Sequence, residues 1–154
     1  MFGKSLSDYL RFQGVILGLI VIAAIARLGL SLSGMPNDTV KWVSVTGVLL
    51  LGLLYYSVAV HTKGFGSYKQ LYGLLLIQSI LAETLVALLI VLAIVTGTSN
   101  IYTAPEYSGG GDGRNWTHVV AHLIVGAVAL PLISWLIGSL ILFVTKKVAP
   151  RAAA

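Results

Sequence analysis

The sequence predicts an all-α integral membrane protein, an antiparallel four-helix bundle with both termini in the cytoplasm. Hydrophobic residues make up 57% of the 154 residues and charged residues only 10%, so a single soluble core cannot bury the apolar surface. Four apolar segments approach or exceed the roughly 20 residues that cross a bilayer. Lys and Arg are concentrated beside the segment ends that would share one side of the membrane.

The four predicted helices cover about 12–32, 42–60, 71–95 and 118–144, in one transmembrane domain spanning 1–154. The first follows a basic start, as a signal peptide does, but its long apolar run favours a membrane helix. Gly14 and Gly18 form a GxxxG step in it. Such a step predicts close packing, either within the chain or against a second copy.

Turn-forming residues separate the first three predicted helices, with Gly34 and Pro36 in the first turn and Gly64 and Gly66 in the second.

The third helix carries Glu83 near its centre. In the fourth, Pro131 frees the carbonyl group four residues earlier and predicts a kink. The external link, 96–117, contains a glycine cluster at 109–113 and is flexible by composition.

The distribution of basic residues predicts the orientation and the partners. Seven basic residues flank the predicted cytoplasmic side, namely Lys4, Arg11, Lys63, Lys69, Lys146, Lys147 and Arg151, whereas Lys41 and Arg114 flank the other side. The net charge of +5 is spread around apolar segments, which favours the lipid bilayer over nucleic acid as a partner. We expect a multi-pass protein of the cell membrane, as in a bacterial inner membrane, that forms homo-oligomers or joins other membrane subunits.

Glu83 is the strongest functional signal, because an ionisable group at bilayer depth is costly and usually has a partner and a purpose. Arg27 lies about 8 Å below the outer end of the first helix, and His118 and His122 lie at the outer end of the fourth. Ser79 shares the helical face of Glu83. These residues predict an ion, proton or small-ligand site in the outer half of the bundle, or an Arg27–Glu83 ion pair that only fixes helix neighbours.

Four residues of the external link and its border predict a lid over this site. Tyr102, Glu106, Tyr107 and Trp116 combine aromatic and acidic groups suited to recognition. The alternative is that the link docks against an external partner.

The run HVVAH places His118 and His122 at the i, i+4 spacing with which two imidazoles hold a metal ion. A further ligand would have to come from elsewhere in the bundle or the link. Copper and haem are therefore possible cofactors. A bis-histidine haem needs imidazoles on facing helices, so its second ligand would have to come from another subunit.

Three functions follow from the sequence. The first is a small transport or conduction module, or a membrane subunit of a larger complex, with a buried protonatable or cation-binding site that opens outward. The second is a redox or metal-binding subunit that uses His118 and His122. The third is a structural accessory subunit. The sequence contains no recognisable catalytic constellation and does not favour an enzyme.

Overall fold

The computed structural model describes residues 1–150; Arg151 of the charge argument lies outside them. This part of the chain forms helices and turns without any strand. Four helical spans are long and apolar enough to cross a membrane: Leu6–Leu32, Asn37–Thr62, Tyr68–Thr96 and Trp116–Val148. The predicted all-α, four-helix membrane fold is confirmed.

The helices are α1 (Leu6–Leu32), α2 (Asn37–Val40), α3 (Val45–Thr62), α4 (Tyr68–Thr96), α5 (Trp116–Ala121) and α6 (Leu130–Val148). A π-helical segment, His122–Ala129, joins α5 to α6. Two short 3₁₀ turns, Ile101–Thr103 and Pro105–Tyr107, order part of the link. The prediction of a flexible link is therefore wrong for its first half, where 101–104 are buried.

Capping residues explain why the helix ends differ from the predicted ends. The side chain of Ser5 accepts a hydrogen bond from the backbone of Asp8, whose carboxylate accepts one from the backbone of Ser5, so α1 begins six residues before position 12. Ser44 caps α3 through the amide of Gly47, which leaves the exposed Trp42 before that helix. Apolar periodicity alone does not reveal these polar starts.

Helix α4 is the centre of the bundle, in contact with α1, α3 and the whole fourth span. One end, which we name the termini end, joins Phe2 to Gln70 through a 2.6 Å hydrogen bond and Lys146 to Ser67 through another of 2.6 Å. The opposite end, the loop end, carries α2 and the link. The structure thus places the start of the chain and the end of α6 at one end of the bundle; which side of the membrane this is stays a prediction.

The glycines that allow close packing are not those of the GxxxG step. Gly14 and Gly18 are exposed, and a Cβ atom on either would meet nothing within 4 Å, so the expectation of packing within the chain is wrong for them. Gly126 and Gly138 instead lie against α4 and α3 side chains. The exposed step is left for lipid or another copy.

Candidate functional site

Glu83 projects from the middle of α4 toward the fourth span. Its carboxylate Oε2 lies 2.5 Å from Nδ1 of His122, a distance that requires a shared hydrogen. The Glu83 side chain is 11% exposed and the His122 side chain 29% exposed, so the pair is screened little by solvent. Both residues belong to the candidate site predicted from the sequence, which did not pair them specifically.

Local backbone structure brings the fourth span this close to α4. A Cβ atom on Gly126 would lie within 2.7 Å of Glu83 Cγ, so a larger residue there would have to displace the Glu83 side chain. The π-helical segment begins at His122, and its last turn is closed by a hydrogen bond from Leu130 N to Val125 O. Pro131, which has no amide hydrogen, follows directly. Wider π turns of this kind occur often at functional sites.

His118 extends the contact toward the loop end. Its Nε2 lies 3.2 Å from Nε2 of His122, and its Nδ1 donates to the carbonyl oxygen of Gly113 at 3.0 Å. Asn115 caps α5 by accepting a hydrogen bond from the backbone of His118 at 2.8 Å. Gly113 O, His118, His122 and Glu83 therefore form one hydrogen-bonded chain, which we name the relay.

The donors and acceptors of the relay fix how many hydrogens it holds. A carbonyl oxygen only accepts, so His118 carries a hydrogen on Nδ1. A hydrogen bond in the Nε2–Nε2 contact and another in the His122–Glu83 contact each add one more. Three hydrogens on two imidazoles and one carboxylate give a net charge of zero. Two neutral histidines and a carboxylate would hold only two hydrogens, so the relay holds one additional proton. That proton can reside on Glu83, His122 or His118 without breaking any of the three contacts.

A cavity of about 320 Å³ lies beside the relay at the loop end. Glu83 and His122 form part of its wall, and the exposed residues Lys41 and Tyr107 also line it. Its remaining wall is made by Arg27, Ser44, Val45, Thr46, Leu49, Val86, Ile101 and Tyr102. The cavity thus borders both the buried Glu83 and exposed residues of the loop end.

Arg27 shares this cavity with Glu83 but forms no ion pair with it, as the ion pairs of residues 1–150 show. Its guanidinium carbon instead lies 5.1 Å from the ring centre of Tyr102 and 5.2 Å from that of Tyr107. Its Nε is buried and has no hydrogen-bond partner in this part of the chain. The expectation that Arg27 and Glu83 meet as an ion pair is therefore wrong, because two aromatic rings hold the guanidinium.

Two of the four predicted lid residues cover the cavity. Tyr102 is buried, and its hydroxyl donates to the carbonyl of Ala24 at 3.0 Å. Burial raises the pKa of Tyr102 to about 12, so the hydroxyl keeps its proton at neutral pH. Glu106 accepts a hydrogen bond from Asn37 away from the cavity, and Trp116 is 60% exposed. The structure therefore places a tyrosine lid without Glu106 or Trp116.

The remaining predicted site residues lie beside the relay or far from it. Ser79 is buried one turn from Glu83 on α4 and does not line the cavity. Within residues 1–150, no group of three or more His, Cys, Asp or Glu side chains is arranged to hold a metal ion. His61 lies at the termini end, against Ala149 O. Copper and haem stay predictions, because the described residues provide no further ligand for either beside His118 and His122.

Three components of the site were missed by sequence reasoning. Gly126 follows His122 by one helical turn, so its place on the same face was readable, but any membrane helix contains glycines. The carbonyl of Gly113 is backbone and leaves no sequence signal. Lys41 was counted only as a flanking charge, although it lines the cavity and pairs with Asp38 at 2.9 Å.

The fold and the cavity define an all-α, multi-pass membrane protein with polar groups inside its bundle. No protein-family model, no curated protein and no solved structure matches the chain.

Proposed function

We propose that this protein is a membrane transport module in which Glu83, His122 and His118 form a proton-exchange site reached from the loop end. The observation that carries the proposal is the relay, whose three contacts join Glu83, His122 and His118 beside a cavity and would hold one transferable proton. An intramembrane ionisable group with a defined partner marks an ion or proton pathway more often than a purely structural contact. The relay supplies a defined position for that proton at each of its members.

The charged and titratable groups that face Glu83 come from several elements. They are Arg27 from α1, Lys41 after α2, Tyr102 and Tyr107 from the link, and His122 from the fourth span. Lys41 is paired with Asp38, and Tyr102 is held protonated, so His122 is the group that exchanges a proton with Glu83 directly. Arg27 adds a permanent positive charge to the wall of the cavity.

Buried polar atoms supply the route from Glu83 toward the termini end. Both side-chain polar atoms of Gln13, the hydroxyls of Tyr9 and Tyr56, and Oε1 of Gln78 are buried without hydrogen-bond partners among the described residues. Gln78 lies five residues below Glu83 on α4, about 7.5 Å at the helical rise. Transient water molecules would satisfy these groups and carry a proton between them.

Glu83→Gln tests the function with little disturbance to the fold. The introduced amide would donate to Nδ1 of His122, so all three relay contacts persist with two neutral histidines and no transferable proton. In liposomes with an imposed membrane potential, we expect proton flux for the wild type and at least a tenfold loss for Glu83→Gln. Glu106→Gln makes the same chemical change outside the cavity and should leave flux unchanged. Equal flux in Glu83→Gln and the wild type would refute the proposal.

A further inference from the structure

Arg27 carries the unmatched charge of the cavity. No carboxylate of the described chain lies within ion-pairing distance of its guanidinium, since Asp38 pairs with Lys41 and Glu83 with His122. The tyrosine rings attract the cation through their quadrupoles but bring no negative charge. A guanidinium stays protonated under all ordinary conditions. A partly buried cation of this kind needs an anionic partner.

We infer that this cavity binds a small organic monocarboxylate, held by Arg27 and packed through its apolar body against the cavity wall. The inference names the substrate class of the transport site, and for the transport step it rests on the function proposed above. Binding itself requires only the cavity and Arg27.

The charges of the cavity select a singly charged ligand. The relay is neutral when its three contacts are formed, and the Lys41–Asp38 pair is neutral, so Arg27 leaves a net charge of +1. A monoanion brings this sum to zero. A dianion such as hydrogen phosphate would leave an excess negative charge next to Glu83, at a depth where solvent screens it poorly.

The shape of the site favours a carboxylate. The guanidinium of Arg27 lies over the rings of Tyr102 and Tyr107, and its Nε has no partner among the described residues. The fork of N–H groups on a guanidinium matches the two oxygens of a carboxylate. The wall of the cavity also contains the apolar residues Val45, Leu49, Val86 and Ile101. A volume of about 320 Å³ is at the lower end of the range for small-molecule sites, which suits an acid with a short hydrocarbon body.

Binding can be measured on the purified full chain in detergent, with butyrate as the probe and saturation-transfer difference NMR as the readout. We expect saturable binding to the wild type and at least a tenfold weaker affinity for Arg27→Gln. Arg27→Lys keeps the charge but loses the fork and should lie between them. Arg11→Gln, an exposed arginine at the termini end of the same helix, is the matched control and should bind as the wild type does. Circular dichroism and gel filtration establish that each variant is folded.

Any of the following outcomes would overturn the inference: no saturable binding to the wild type, equal affinity in the wild type and Arg27→Lys, or displacement of butyrate by equimolar inorganic phosphate. Displacement by equimolar phosphatidylglycerol would also overturn it, because the monoanion would then be a lipid phosphodiester. Proton flux separates the two proposals. Butyrate binding without proton flux contradicts the proposed function alone, whereas flux without butyrate binding contradicts this inference alone.

Discussion

Gly126 of the π-helical segment lies directly against the carboxylate of Glu83. This contact lets a charged side chain of α4 reach His122 on the neighbouring span instead of being held apart by a side chain. The absence of a Cβ atom at Gly126 thereby leaves room for Glu83 in its contact with His122.

Gly126→Ala should disrupt this arrangement. The added methyl group would overlap Glu83, and overpacking of this kind costs typically about 1–3 kcal/mol. We expect a lower melting temperature and loss of proton flux. Gly18→Ala places the same methyl group in open space on α1 and should stabilise the helix by roughly 0.5–1 kcal/mol. Similar melting temperatures for both variants would contradict the proposed role of Gly126.

The relay predicts a graded effect along its length. Glu83 and His122 line the cavity, whereas His118 does not. His122→Gln should therefore reduce proton flux about as much as Glu83→Gln, while His118→Gln should retain a measurable part of it. His61→Gln, at the termini end, serves as the control. If His118→Gln were as inactive as Glu83→Gln, the proton would have to enter only through His118.

Tyr102→Phe should loosen the tyrosine lid. The variant loses the hydrogen bond from the hydroxyl to Ala24 O, worth about 1 kcal/mol. We expect faster hydrogen exchange in residues 101–104 and a lower melting temperature. Tyr107→Phe removes a hydroxyl from a more exposed ring and should have a smaller effect on both. Unchanged exchange in Tyr102→Phe would show that ring burial alone holds the link.

The link also predicts a dependence on pH at the loop end. Hydrogen bonds from the side chain and backbone of Arg114 lower the pKa of Asp112. A lowered pKa means that this contact stabilises the link above the ordinary carboxylate range and that the stabilisation is lost as pH falls through the lowered value. Carboxyl NMR should detect titration of Asp112 below its ordinary pKa of 3.8, with a return toward that value in Arg114→Gln. A titration unchanged by Arg114→Gln would exclude the contact in solution.

The four spans were predictable because each is an apolar run of membrane length. Depth along the helices limited the candidate partners of Glu83 to Arg27, His118 and His122 without selecting among them. The partner of Arg27 was not predictable, since it depends on how 101–107 fold over the bundle mouth. A glycine-rich link gives no periodic pattern from which that fold could be read. The buried Tyr9, Gln13, Tyr56 and Gln78 were also overlooked, because neutral polar residues in apolar runs carry a weaker signal than a charge does.

The protonation state of the two relay histidines is the most decisive observable for proton exchange at this site. We expect ¹⁵N solid-state NMR of histidine-labelled protein in bilayers to show His118 with a hydrogen on Nδ1 and a single hydrogen between the two Nε2 atoms. In Glu83→Gln, His122 should be neutral, with its hydrogen on Nε2 at every pH at which the relay stays intact. A His118 Nδ1 without hydrogen, or two Nε2–H groups facing each other, would contradict the relay and the proton exchange built on it.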